Sequence, residues 1–349
     1  MNYGLSIMGS TRHRSSGYAH HNTITISSGQ VTGTLSNFPM LFYGTYSQLK
    51  TVPNGGYVTS SSGYDIIFSS TTAANGSGIL PFELLSYNAS TGAVLFWVKF
   101  PSCAVGNVIY ILYGNSAITT SQANPTAVYD ANFLQVSHMG QASGASLLDS
   151  TSYGNSSSTN TGTQATGKWG NAVAFASGQY AAFPPTLSGT GASSPTFTIS
   201  SWVNFPNAST YDIVFDTRNS SAQGCAIYGL ITTGAAQFSL SGSVTPAGGA
   251  NIGNAAWHYV SMTYSGGSTG TEIGYVDANA PISATAAFGV QAYGATFNIG
   301  TKTVGGGAAT YNTVTGQQEL RVSNIVRAAA WLAAEYKNQS APSSFYAVT

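Results

Sequence analysis

The sequence predicts an all-β protein made of two β-sandwich domains, and three observations predict it. Short runs alternate in period two, as in Thr23-Ile24-Thr25-Ile26 and in Phe197 to Phe205, where Phe197, Ile199, Val203 and Phe205 share one face. Clusters of Gly, Ser, Asn and Thr, which favour turns, separate these runs. A single stretch near the end carries helical spacing instead. Many short strands joined by polar turns point to sandwiches or jelly rolls.

In chain order, residues 1–19 read as an N-terminal arm and residues 20–122 as the first sandwich. The polar connector Ser116 to Pro125 follows the apolar run Val108 to Tyr113 and marks the boundary. Residues 123–349 read as the second sandwich. Ser150 to Gly167 has almost no apolar residues and reads as a long surface loop within it. Trp257 to Tyr264 and Ile273 to Val276 alternate as strands do. Ala328 to Lys337 places Ala328, Trp331, Leu332, Glu335 and Tyr336 along one helical stripe. One short helix on a β-domain is most simply a cover over a sheet edge.

Charge is scarce. The 349 residues hold ten Lys and Arg and ten Asp and Glu, 6% in all, against roughly 25% in an average soluble domain. Hydrophobic residues reach 43% and aromatics 12%, enough to fill two cores, so low charge here does not mean disorder. The scattered basic residues form no patch for nucleic acid or for an acidic membrane surface. No apolar run is long enough to span a bilayer. Met1 to Ser16 contains Arg12, His13 and Arg14 but no apolar segment, so no secretory signal is read there. Cys103 and Cys225 fall one in each sandwich and are expected as buried free thiols.

Several pieces occur in order in the first part: Asn37-Phe38-Pro39, Asp65-Ile66-Ile67-Phe68, Leu80-Pro81-Phe82-Glu83, Trp97-Val98-Lys99 and Tyr113-Gly114-Asn115. As a set they resemble a β-sandwich domain of unknown function found in bacterial, archaeal and phage surface proteins. The likeness covers roughly residues 12 to 125. It implies no catalytic role, and implies a lectin-like domain directly after it. The second part carries His138-Met139, Leu148-Asp149-Ser150, Gly167-Lys168-Trp169-Gly170-Asn171-Ala172, Trp257-His258-Tyr259-Val260, Tyr275-Val276-Asp277 and Glu319-Leu320-Arg321-Val322. These resemble the concanavalin-A-like, laminin-G-like jelly roll, which implies a closing helix around Trp331 and a structural place for His138. The fold serves glycan binding, protein binding, adhesion and, in some branches, glycan cleavage, so it does not settle function. Two departures stand out. Gln318-Glu319 replaces a common Asp-Glu pair, which weakens the implied calcium binding. Ala278 stands where Gly often follows the Asp, which implies an altered turn.

With ten carboxylates, catalytic chemistry can be checked by enumeration. Glycoside hydrolysis usually needs two facing carboxylates about 5 to 10 Å apart. The nearest match, Asp212 and Asp216, spans about 13 Å along a strand and reads as two strand-end charges flanking a buried Ile213-Val214-Phe215. His258 reads as a sheet histidine facing away from Trp257 and Tyr259. Asp149 and Glu319 are the candidate calcium ligands; the alternative for Asp149 is an Asx-turn that caps its own loop. No nucleophile elbow, phosphate loop or dinucleotide fingerprint occurs. Of the 21 tyrosines, Tyr153, Tyr211, Tyr228 and Tyr311 are the loop candidates for stacking on sugar rings, with ordinary strand-end packing as the alternative.

The functional expectation is a non-enzymatic phage virion surface protein: a decoration, fibre or tail-appendage subunit. It would be made in the host cytoplasm, assemble with other virion subunits as a homo-oligomer, and touch host surface glycans. The alternatives are a glycan-binding adhesin module of a bacterial surface protein and, less favoured by the missing carboxylate pair, a glycan-cleaving enzyme.

Overall fold

The alternating runs form strands because each places one apolar face against a partner layer. The computed structural model describes residues 17–349 apart from 74–76, 188–194, 207–211, 219–223, 231–232, 241–242, 245–249, 268–269, 280–281, 286–292 and 302–313. Most of the expected N-terminal arm lies outside the described residues. The described chain is all-β apart from short helical segments, and its strands make two sandwiches.

The first sandwich packs a four-stranded sheet on a three-stranded one. The four-stranded sheet runs β22 (Tyr346–Val348), β1 (His20–Ile26), β6 (Val108–Tyr113), β3 (Ile67–Ser69). The three-stranded sheet runs β2 (Leu35–Thr45), β5 (Ala93–Cys103), β4 (Phe82–Asn88). Phe42, Phe68, Phe82 and Phe96 meet edge-to-face or tilted between the two sheets. The three-stranded sheet is buried on its other face as well, which explains the unbroken buried run Val94 to Val98 in β5.

The second sandwich is a jelly roll of two large sheets. One runs β19 (Ile282–Thr285), β18 (Thr271–Val276), β17 (Trp257–Tyr264), β12 (Phe197–Asn204), β21 (Val314–Ser323), β10 (Asn171–Phe175), β9 (Thr163–Thr166). β7 (Phe133–Ser137) pairs with the far end of β21. The other runs β16 (Ser243–Val244), β15 (Ala236–Leu240), β14 (Cys225–Gly229), β13 (Asp212–Arg218), β20 (Tyr293–Ile299), β11 (Ala181–Phe183), β8 (Thr159–Asn160). Ile199, Val203, Met262 and Leu320 from the first face Phe215, Ile227 and Phe297 from the second in one core. Cys103 and Cys225 are both buried and free, one in each sandwich.

The C-terminal helix α1 (Ala329–Ser340) runs further than its sequence pattern indicates and includes Asn338. A short helix, α2 (Pro342–Phe345), follows and leads into β22. The helix does cover a sheet edge, but the edge belongs to the first sandwich. β2 is an edge strand, and the Asn338 carboxamide accepts from the Leu41 N–H (2.7 Å) and donates to the Leu41 carbonyl (3.1 Å). The Tyr346 hydroxyl does the same two residues on, at Tyr43. The chain therefore ends as a strand of the sandwich in which it began, although residues 123–349 read from sequence as one jelly roll.

Asp212 opens β13 and, with Asp216, flanks the buried Ile213-Val214-Phe215; both acids are themselves buried, and Asp216 holds the Arg218 guanidinium at 2.6 Å. The turn after β18 keeps its left-handed backbone without glycine, with φ of 52° at Asp277 and 56° at Ala278. A β-carbon in that region costs about 1 kcal/mol. Ala278→Gly is accordingly expected to stabilise the protein by about 0.5–1 kcal/mol, read as a higher urea midpoint at unchanged slope. Asn338→Ala strands the Leu41 N–H and C=O in the interior. A loss of about 3 kcal/mol is expected in the same titration.

Candidate functional site

The face that β2, β5 and β4 turn away from their own core lies against the jelly roll, and Glu83, His138, Glu319, Arg321 and Glu335 gather in that seam. Alternation decides who faces it. Phe82 points into the first sandwich, so Glu83 points out. Leu320 and Val322 point into the jelly-roll core, so Arg321 points out. A bulge opposite Ser200 and Trp202 adds one residue to β21, and Glu319 occupies it at φ 61°. Glu319 thereby joins Gln318 and Arg321 on the outer face. On α1, Trp331, Glu335 and Gln339 recur every fourth residue and wedge between the sandwiches.

A continuous chain of charged hydrogen bonds results. Ser150 Oγ donates to Glu83 Oε1 (2.8 Å), and Glu83 Oε2 meets His138 Nε2 (3.0 Å). His138 Nδ1 meets Glu319 Oε2 (2.6 Å). Arg321 donates to Glu319 Oε1 (3.0 Å) and to Glu335 Oε1 (2.7 Å), and the Tyr259 hydroxyl donates to Glu335 Oε2 (2.6 Å). Trp97 stacks on the His138 ring at 5.7 Å and receives the Arg321 guanidinium at 4.5 Å on its face. All five charged residues are buried.

Both ring nitrogens of His138 face carboxylate oxygens, so the ring is held as an imidazolium. Burial alone would lower its pKa; Glu319 and Glu83 outweigh it and carry the value up to about 10. Burial pushes the Glu83 carboxyl up, but His138, Ser150 and Arg321 together bring it below the ordinary value. The cluster sets three carboxylates against two cations in a closed interior. It is built to hold the two sandwiches together.

Above it opens a cleft of about 400 Å³ between the sandwiches. Leu85, Ser86 and Leu95 line one wall, Gly140, Gln141, Gly170 and Asn171 the other, and His138, Trp169 and Gln318 the floor. A bulge in β4 between Leu84 and Ser86 turns Leu85 into the cleft. The β9–β10 hairpin tip supplies Trp169, whose Nε1 donates to the Gln339 carbonyl at 3.0 Å and whose ring meets Trp97 edge-on.

Of the residues singled out from sequence, Glu319 lies in the seam and the others fall elsewhere. Asp149 Oδ1 accepts from the Val136 and Thr151 N–H groups, and Oδ2 from the Asn155 N–H and the Thr151 hydroxyl. Glu319 is committed to His138 and Arg321. Calcium therefore does not fit this pair: Asp149 is the loop cap, its acceptors spent on its own turn and on the Val136 N–H of β7. Among the described residues no cluster of three or more His, Cys, Asp or Glu could hold a metal ion. Tyr153 is half exposed and hydrogen-bonds the Ala131 carbonyl (3.0 Å). Tyr228 is buried in β14 with the Arg218 guanidinium over its ring, so it offers no stacking face. Tyr211 and Tyr311 lie outside the described residues. His258 is a satisfied strand histidine, bonded to Asp277 (2.6 Å) and Asn254 (3.0 Å).

Sequence gives His138 a structural place and marks Glu319 as an acid of interest, but does not join either to Glu83 or Arg321. Glu83 and Arg321 are charges set among apolar residues in strand patterns, which in so weakly charged a chain is itself a signal of buried pairing.

Comparison with known proteins gives one family. The family described as Domain of unknown function (DUF2341) matches residues 62–169, a segment that crosses from the first sandwich into the second and contains Glu83, Trp97, His138 and Trp169. No curated protein sequence matches the chain. Among solved structures, the binding domain of Paraclostridial Mosquitocidal Protein 1 is similar at 12% identity and TM-score 0.45, over 59% of this chain and 52% of that one. The botulinum neurotoxin serotype D binding domain is similar at 9% identity and TM-score 0.44, over 60% and 52%. The serotype G binding domain is similar at 11% and 0.43, over 59% and 50%. The chain thus spans about half the length of the structures it matches.

The seam makes stability depend on pH. A His whose folded pKa is raised from 6.5 to about 10 contributes fully below 6.5 and loses that contribution as pH rises to about 10. Glu83, being lowered, loses its contribution as pH falls below the ordinary carboxylate value of 4.5. Denaturant titrations are expected to show stability falling between pH 6.5 and about 10, with the fall flattened in His138→Gln. An unchanged slope in that variant would remove His138 as its source.

Proposed function

We propose that the chain is a non-enzymatic subunit of a phage virion surface, a decoration, fibre or tail-appendage protein that packs against like subunits and contacts host glycans. One observation carries this reading. None of the ten carboxylates is on the open surface: seven are buried, and Asp130, Asp149 and Asp277 are half-buried. Among the described bases, Arg218, Arg321 and Arg327 are buried and Lys50, Lys99, Lys168 and Lys337 half-buried. The described exterior is hydroxyl, amide and apolar surface without an open charge.

Such a surface suits close packing that salt does not weaken, because it has little charge to screen. It suits recognition of uncharged, hydroxyl-rich ligands for the same reason. It does not suit acid–base chemistry. The facing acids Glu83 and Glu319 are separated by the His138 ring, which occupies the place between them and pairs with both. The sequence resemblance to surface-protein domains supports the placement.

Mass spectrometry of purified phage particles tests the reading directly. The protein is expected as a stoichiometric component, retained when particles are washed at about 1 M NaCl, where the screening length falls to roughly 3 Å. Absence from the particles would sink the virion placement. Release of reducing ends from host polysaccharide would sink the non-enzymatic one.

A further inference from the structure

We infer that the cleft between the two sandwiches is a binding site for a saccharide unit of a neutral glycan. The inference rests on the reading of the chain as a binding subunit and gives that reading a place and a ligand class.

The first argument is chemical. The charges nearest the cleft are spent: both His138 nitrogens go to Glu83 and Glu319. What the walls offer instead is the Ser86 hydroxyl, the Gln141 and Asn171 carboxamides, and the apolar surface of Leu85 and Leu95. Ser86 and Asn171 are exposed, and no hydrogen bond engages either side chain among the described residues. Amides and hydroxyls read sugar hydroxyls; Leu85, a bulged and 40% exposed side chain, covers the C–H face of a ring. A charged ligand would lose its hydration in this cleft and find no counter-ion.

The second argument is an orphan. Gln141 Oε1 is buried and has no hydrogen-bond partner among the described residues. A buried acceptor left unpaired is costly and calls for a donor. A turn of this half-buried side chain toward the cleft that it lines presents the acceptor to a sugar hydroxyl, a donor of the right kind.

The third is strain. Met139 sits at φ 59° directly between His138 and Gly140, and Glu319 at φ 61° directly after Gln318. Neither is glycine, and both hold the base of the cleft in shape. Such outliers gather at binding sites, where the surroundings over-determine them. Gly170, at φ 70°, keeps the mouth open: a Cβ there would meet Leu95 at 3.3 Å.

The test titrates the whole chain with maltose, cellobiose and lactose, and with a glucuronate-containing disaccharide as the charged comparison, by saturation-transfer NMR and calorimetry. Binding of at least one neutral disaccharide and not of the charged one is expected. Ser86→Trp, at an exposed position, fills the mouth and is expected to abolish binding at an unchanged melting temperature. Gln141→Ala is expected to weaken it about tenfold, the loss of one hydrogen bond at a buried acceptor. Tyr153→Ala, on a separate loop, is expected to bind as the parent does. Parent-like binding by both cleft variants overturns the inference while leaving the binding reading standing, and loss in Tyr153→Ala would then move the site to that loop. Tighter binding of the charged disaccharide overturns the ligand class. No binding of any neutral disaccharide overturns the cleft site altogether, and the particle composition then decides the subunit reading by itself.

Discussion

The imidazolium of His138 between Glu83 and Glu319 is the contact on which the rest of the molecule depends. Each partner comes from a different piece of chain: Glu83 from the first sandwich, His138 from the end of β7, Glu319 from a bulge in β21. Burying these charges carries a large desolvation penalty, offset only while every member keeps its partner and its geometry. A small shift between the sandwiches would leave a carboxylate or a guanidinium unpaired in the interior. The ion chain therefore does more to fix the relative position of the sandwiches than to add net stability. Trp97, Trp169, Trp202 and Trp331 surround it, and Gln339 caps the Trp169 and Trp202 indoles from the helix.

The helix is the second half of the same device. Its stripe of Trp331, Glu335 and Gln339 faces the seam, while Asn338 reaches β2 and Lys337 reaches the Gly29 carbonyl. One element thus touches both sandwiches, and β22 then closes the sheet in which the chain began. An edge strand that could have recruited another chain is occupied by the protein's own side chains at Leu41 and Tyr43.

Local pattern was legible where local physics decides it. The run from Phe197 to Phe205 and the segment Thr23 to Ile26 are strands because their alternation is tied to a buried face, and the helical stripe from Trp331 held because its spacing fits 3.6 residues per turn. The site was not legible, because its contacts are non-local. His138 and Glu319 are 181 residues apart, and Leu41 and Asn338 are 297 apart. Alternation puts Glu319 and Arg321 on one face, but nothing in the spacing shows that a left-handed Glu319 will bring Gln318 to that face as well. Tyr228 misled for a related reason: a residue near Gly224 and Gly229 looks like a loop aromatic until the β14 pairing buries it. Asp149 was legible in its simpler reading, since a short acid before Ser-Thr is what an Asx-turn requires.

The scarcity of charge and the chemistry of the cleft have one cause. A chain with few charges, whose described acids and bases are buried or half-buried, displays little charge there, so recognition on that surface falls to amides, hydroxyls and apolar groups. Those groups gain little from distant attraction and much from fixed geometry, because each hydrogen bond is directional and modest. A recognition surface of this kind needs rigid walls. The cleft has them, since its two walls belong to two sandwiches that the Glu83–His138–Glu319 contact holds in register. The residues that look most like catalytic groups are thus the ones that fix the two walls of the cleft relative to each other.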